Sequence, residues 1–221
     1  VLSLLNFIYE TFLDLLFPPF CLGCGHLGEY LCPRCYASIY FYPFPPPLHL
    51  EPNYLDRLTV LSHYDSPLKE LIIAYKYRGG KILAENLSDL VWQSTIIDPV
   101  DLITFVPLHP KKEKLRGFNQ TKLLAENLAK RLNVPCQNTL GKTHHHLAQA
   151  ATTSKAERLT NVLNTFAVDP EFAEFLKTKP PPNSIMIVDD VITTGSTLNE
   201  AARVLKSLGI KRVDGFALAH D

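Results

Sequence analysis

The sequence predicts an α/β fold, a parallel sheet flanked by helices, preceded by a small four-cysteine module. Two observations predict the sheet. Ile185-Met186-Ile187-Val188 is a continuous apolar run that suits a strand buried on both faces. Leu198, Ala201, Ala202, Leu205 and Leu208 follow at helical spacing, with Gly209 placed to end the helix. A second strand-loop-helix unit occurs upstream, which implies a crossover connection and a parallel sheet. The third observation, Cys21-x-x-Cys24 followed by Cys32-x-x-Cys35, predicts the module.

Composition bounds the reading. The chain has 221 residues, 46% hydrophobic and 20% charged, enough for one core and a small appendage. Lys and Arg total 22, as do Asp and Glu, so bulk charge calls for no nucleic-acid partner.

In chain order, residues 1–17 read as an amphipathic helix, with Leu2, Leu5, Tyr9, Phe12 and Leu16 on one stripe. No Lys or Arg precedes Arg34, so the basic start of a signal peptide is missing. Glu10 and Asp14 interrupt the apolar run, which argues against a membrane span and for packing on its own domain.

The two C-x-x-C pairs match a tetrahedral four-thiolate Zn²⁺ site formed by Cys21, Cys24, Cys32 and Cys35. Four thiolates leave no open position, so the metal is expected to be structural. Clustered thiols of this kind belong to a reducing compartment, and a cytoplasmic location is expected. Pro43, Pro45, Pro46, Pro47 and Pro52 then mark a stiff connection. The expected organisation is 1–42 for the N-terminal helix and zinc ribbon, 43–53 for the linker, and 54–221 for the α/β domain.

A strand is expected over 58–64, and helices over 66–77 and roughly 81–94. Lys76-Tyr77-Arg78-Gly79-Gly80 lies between the helices. Its cations suit either a phosphate or a solvated helix end closed by glycine. Leu102 to Val106 reads as a strand, followed by Pro107-Leu108-His109-Pro110 and the basic residues Lys111, Lys112, Lys114 and Arg116. Ligands of open parallel sheets bind at the carboxyl ends of strands, so this loop is a candidate for anion contact. A helix carrying Leu123, Leu124, Leu128 and Leu132 succeeds it. His144, His145 and His146 point in different directions and read as a solvated loop, and Cys136 reads as a small buried hydrophobe. A short helix is expected within 169–183 and a last strand over 213–219.

The chemistry concentrates after Val188. Asp189 and Asp190 stand where the strand is expected to end, followed by Val191, Ile192 and the loop Thr193-Thr194-Gly195-Ser196-Thr197. A helix start offers unpaired N–H groups, and the hydroxyls add donors. Gly195 lets the backbone approach a phosphate closely. The carboxylates would repel phosphate, but suit ribose hydroxyls or a hydrated Mg²⁺. Capping a helix needs one hydroxyl, so four of them beside two carboxylates point to a sugar phosphate.

This stretch resembles the phosphoribosyl-pyrophosphate (PRPP) motif of type I phosphoribosyltransferases. By that resemblance Asp189 and Asp190 hold the ribose hydroxyls, and Thr193 to Thr197 hold the 5-phosphate of PRPP or a ribose 5-phosphate-type ligand. Val106-Pro107-Leu108, Arg116-Gly117-Phe118-Asn119-Gln120, Gln149-Ala150, Arg158, Asn161-Val162 and Phe166 are similar to the ComF family, competence-associated phosphoribosyltransferase-like proteins. The four-cysteine module and Lys76-Tyr77-Arg78-Gly79 share the resemblance, which covers nearly the whole chain. It implies Mg²⁺-dependent transfer of phosphoribosyl from PRPP to an acceptor. Pyrophosphate would lie at Leu108, His109, Lys111, Lys112, Lys114, Arg116 and Arg158, with part of 141–160 as a flap. It also implies an alternative, a non-enzymatic accessory of DNA uptake that handles single-stranded DNA or a DNA-uptake protein.

Overall fold

The computed structural model describes residues 18–44, 52–78, 80–143 and 164–221. The expected N-terminal helix, the His144–His146 run and Arg158 lie outside the described residues.

Four parallel strands make the sheet: β1 (Arg57–His63), β2 (Leu102–Phe105), β5 (Ser184–Ile192) and β6 (Arg212–His220). Their order is β1-β6-β5-β2, which puts β5 and β6 at the centre. The other two strands, β3 (Leu140–Lys142) and β4 (Phe166–Val168), form a separate antiparallel pair. Leu140 pairs with Val168 and Lys142 with Phe166.

Seven helices accompany the strands among the described residues. They are α1 (Pro33–Ala37), α2 (Leu68–Tyr77), α3 (Gly80–Ser94), α4 (Pro110–Arg116), α5 (Gln120–Leu132), α6 (Pro170–Thr178) and α7 (Ser196–Ser207). Side chains of β5 alternate between two cores, as strand geometry requires. Met186 and Val188 join Leu71, Leu87 and Leu124 from α2, α3 and α5. Ile185 and Ile187 join Leu198, Ala202 and Leu205 of α7 and Phe172 of α6. Helices therefore cover both faces. Gly215 of β6 is squeezed there: a Cβ would come within 3.1 Å of Leu58 and 3.2 Å of Leu198.

The central strand runs further than its apolar stretch suggests. Pairing of β5 with β6 continues through Asp189 opposite Ala217, Val191 opposite Ala219 and Ile192 opposite His220. On its other side β2 stops at Phe105 opposite Val188. The two carboxylates thus lie inside β5, just beyond the end of its neighbour, rather than after the strand.

The cysteine module folds onto this body. A Cβ on Gly23 would fall 2.6 Å from Pro67 and 2.9 Å from Cys35 Sγ, so the first knuckle rests directly on the turn before α2. Tyr36 Oη lies 3.0 Å from Ser94 Oγ at the end of α3. Phe41 bridges Ser62, and the Tyr42 N–H donates to the Leu61 carbonyl, so the chain leaving the module runs along the outer edge of β1.

Candidate phosphoribosyl site and cysteine centre

The acidic pair is buried, Asp189 at 9% and Asp190 at 6% exposure. Three groups donate to Asp190. The Gln120 amide donates from Nε2 to Oδ2 at 2.8 Å, and the Val191 N–H donates to Oδ1 at 2.7 Å. Lys76 Nζ stands 3.2 Å from Oδ2 as an ion pair. Asp189 has less support: the Asp190 N–H donates to its Oδ1 at 2.8 Å. Burial first, and the neighbouring Asp190 charge second, push its carboxyl from 3.8 up to about 7.

Lys76 sits at the end of α2 as the counter-ion of Asp190, largely shielded rather than solvated. The next residue, Tyr77, lies under the Arg116 guanidinium at 5.1 Å. Two motifs far apart in sequence therefore meet over one carboxylate.

Each residue of the Arg116-to-Gln120 run has a place in that meeting. Gly117 takes φ +82 and closes α4, a conformation that strains other residues. Phe118 packs on Gly80 so closely that a Cβ there would meet its ring at 2.9 Å. Asn119 caps α5 by accepting from the N–H groups of Thr121 and Lys122. Thr121 Oγ1 donates to the Val106 carbonyl at 2.6 Å, tying α5 to the end of β2. Gln120 reaches Asp190, while its own Oε1 accepts from Arg116 and its carbonyl accepts from the Tyr75 hydroxyl.

After β5, Gly195 adopts φ +74 and is the N-cap of α7. Gly195 has no side chain to cap the helix, and of the loop hydroxyls only Thr194 reaches its start, accepting the Ser196 N–H at Oγ1 over 3.3 Å. Within the loop the Thr194 hydroxyl donates to Ser196 Oγ at 2.9 Å. The Thr193 carbonyl lies 2.8 Å from His220 Nε2 at the end of β6, which anchors the loop to the sheet.

The basic stretch after β2 is a short helix, α4, rather than a loop. His109 caps it by accepting from the Lys111 N–H at 3.1 Å. Lys111, Lys112 and Lys114 are exposed, and no ion pair is made by them among the described residues. Lys112 lies within electrostatic reach of a further cation, Lys142. Lys142 of β3 is held below the usual lysine range by desolvation and by the Lys112 charge, with Asp189 pulling the other way. Lys142 thus belongs to the surroundings of the acidic pair. A three-residue strand with one lysine carries no signal that would have marked it.

The four sulfurs of Cys21, Cys24, Cys32 and Cys35 lie within 4.8 Å of one another. Cys21 sits on a turn in which its N–H donates to the His26 carbonyl and Gly25 takes φ +77. Cys35 comes from α1. Burial acts to raise the Cys21 thiol, but N–H groups of Cys32, Cys24 and Gly23 outweigh it and bring it down to about 6. Burial and the three neighbouring sulfurs push Cys35 up to about 12. Sulfurs gathered this closely repel as thiolates, and one cation at their centre resolves the conflict. Cys136 stands apart, half-buried, its thiol raised by burial to about 11, in keeping with a packing role.

A phosphoribosyl transferase domain model matches residues 123–220. Competence protein F of Haemophilus influenzae is 29% identical over 208 residues, covering 91% of this chain and 84% of that one. Competence protein ComFC of Streptococcus pneumoniae is 25% identical over 156 residues, covering 70% and 64%. DNA utilization protein YhgH of Salmonella typhimurium is 31% identical over 202 residues, covering 85% and 83%. The chain belongs to the ComF family. The resemblance of its motifs, the parallel sheet with helices on both faces and the cysteine cluster agree with that membership. No helix among the described residues is long and apolar enough to cross a membrane.

Proposed function

We propose that this ComF-family protein binds PRPP at the carboxyl edge of β5 and transfers its phosphoribosyl group to an acceptor, releasing pyrophosphate. One observation carries the reading: a buried acidic pair ends one turn before a helix of 12 residues whose N-cap is a glycine in the left-handed conformation, inside a hydroxyl-rich loop. In this reading the N–H groups and hydroxyls of Thr193 to Thr197 take the 5-phosphate. Asp189, Asp190 and Val191 face the ribose. Leu108, His109, Lys111, Lys112, Lys114 and Arg116 line the pyrophosphate side, with Arg158 assigned there by resemblance.

Transfer breaks the bond from C1 to the pyrophosphate oxygen and forms one from C1 to the acceptor nucleophile. Positive charge grows on the ribose ring as the first bond stretches. Buried carboxylates beside the ring stabilise it, and cations hold the departing diphosphate, so positioning and electrostatics do the catalysis. Mg²⁺ bound with PRPP would neutralise diphosphate charge, and Asp189, with the less engaged carboxylate, is the residue to meet its water shell. Zn²⁺ on the four cysteines is structural and suits a reducing cytoplasm.

The test is calorimetric titration of the zinc-loaded protein with PRPP, with and without Mg²⁺. Micromolar binding that is lost in Asp189→Asn and Asp190→Asn supports the reading, and absence of binding removes it. A second reading is favoured by the names of two relatives, DNA utilization protein and competence protein, and by the exposed lysines of α4. In it the protein handles single-stranded DNA or a DNA-uptake partner, with PRPP as a regulatory ligand. Filter binding separates the two, because direct DNA affinity must fall steeply with salt.

A further inference from the structure

Gln120 sits between two groups that the proposed reading assigns to different halves of the ligand. Its Nε2 donates to Asp190 Oδ2 at 2.8 Å, on the ribose side. Its Oε1 accepts from Arg116 Nη1, on the pyrophosphate side. An amide has one donating and one accepting end, so these two partners fix its orientation. A flipped Gln120 would set its NH₂ against a guanidinium and its oxygen against a carboxylate. The side chain is buried, and its backbone carbonyl is held by the buried Tyr75 hydroxyl, so it has little freedom to serve either partner alone.

We propose that Gln120 is a positioning residue through which Arg116 on the diphosphate side sets the Asp190 carboxylate on the ribose side. The inference rests on the PRPP reading and adds the coupling between its halves. Lys76 compensates the Asp190 charge but lies on the same oxygen as Gln120, so it cannot replace the amide's directional hold. Arg116 in turn lies over Tyr77, one residue from Lys76, so the arginine is steered from the same helix end.

The test uses ribose 5-phosphate, which lacks the diphosphate. An Arg116 that only contacts diphosphate has no influence on this ligand. Calorimetry of the native protein, Arg116→Ala, Gln120→Leu and the double variant is measured with ribose 5-phosphate and with PRPP. Expected is a roughly tenfold loss of ribose 5-phosphate affinity in each single variant, the scale of one hydrogen bond to a charged group. The double variant should lose no more than either single one, because both cut the same connection. An Arg116→Ala protein that loses PRPP affinity but binds ribose 5-phosphate as the native protein does overturns the relay while leaving the PRPP site intact. Native protein that binds neither ligand overturns the site itself and the relay with it. Arg116 is partly exposed, so its variant is expected to fold and keeps the test decisive if Gln120→Leu does not.

Discussion

Replacing Asp189 by Asn should stabilise this protein while disabling its site. Desolvation, then the Asp190 charge, raises the Asp189 carboxyl from 3.8 to about 7. A carboxyl that binds its proton more tightly when folded favours the native state only while protonated. That contribution is complete below about pH 4 and is lost as pH rises through about 7. At about 1.4 kcal/mol per pH unit, the difference sets a ceiling of roughly 4 kcal/mol at alkaline pH. Asn carries no charge to desolvate, its Oδ1 can still accept the Asp190 N–H, and its Nδ2 can face the Asp190 carboxylate. With relaxation and water entry taking half of the ceiling, the variant should gain about 2 kcal/mol at pH 8. For a chain of this size that is a Tm increase of about 4–8 °C. Urea unfolding of the zinc-loaded native and variant proteins at pH 8 and pH 5 checks both size and sign. The gap should shrink to less than half at pH 5, where native Asp189 holds its proton but the unfolded carboxyl is still ionised, and close only below about pH 4. A variant less stable than native at pH 8, or a gap unchanged between the two pH values, refutes the electrostatic account.

Three further outcomes are expected. Lys76→Met leaves Asp190 buried without its counter-ion and should cost about 2 kcal/mol, less than a fully buried pair because Lys76 is partly exposed, as read by urea unfolding. Gly195→Ala forces a side chain into φ +74 and should cost about 1–2 kcal/mol. It should also abolish calorimetric binding of ribose 5-phosphate, since the loop must open to relieve the strain. Metal analysis should find one zinc ion per chain, and its removal by a strong chelator should lower the Tm, because the Cys21–Gly25 knuckle packs on the turn before α2.

The parts of this molecule that were legible in sequence are those built from local pattern. An apolar tetrad, two carboxylates, a glycine among hydroxyls and a helical stripe are enough to place β5, the loop and α7 in order. The length of β5 was not legible, because Val191 and Ile192 stay in the strand by pairing with Ala219 and His220, which lie in the last strand of the chain. The stretch of helix α4 reads as a loop in sequence although Pro110 at its first turn and Gly117 at its end are the usual helix signals. None of its residues is buried, so it carries no apolar stripe to mark it as a helix. The partners of Asp190 were hidden for a different reason. Gln120 lies 70 positions away, and an amide contact leaves no periodic trace.

On the proposed reading, that long-range pairing would let a chain with no net charge take a polyanion. Positive and negative residues balance at 22 each, so no overall field draws a phosphate in. The fold creates the asymmetry locally. Lys76 and Gln120 concentrate their donation on Asp190, leaving Asp189 with less support and with Lys142 as a further cation within its electrostatic reach. In the proposed reading a diphosphate lying between α4 and the α7 loop would meet lysines on one side and helix N–H groups on the other. The Asp189 carboxyl in this region is pushed up to about 7 by burial and by the neighbouring Asp190 charge, which weakens its repulsion of an anion. Such a field is short-ranged, so added salt should weaken PRPP binding modestly. Binding of a long single strand, which must neutralise many phosphates, would fall by orders of magnitude over the same range.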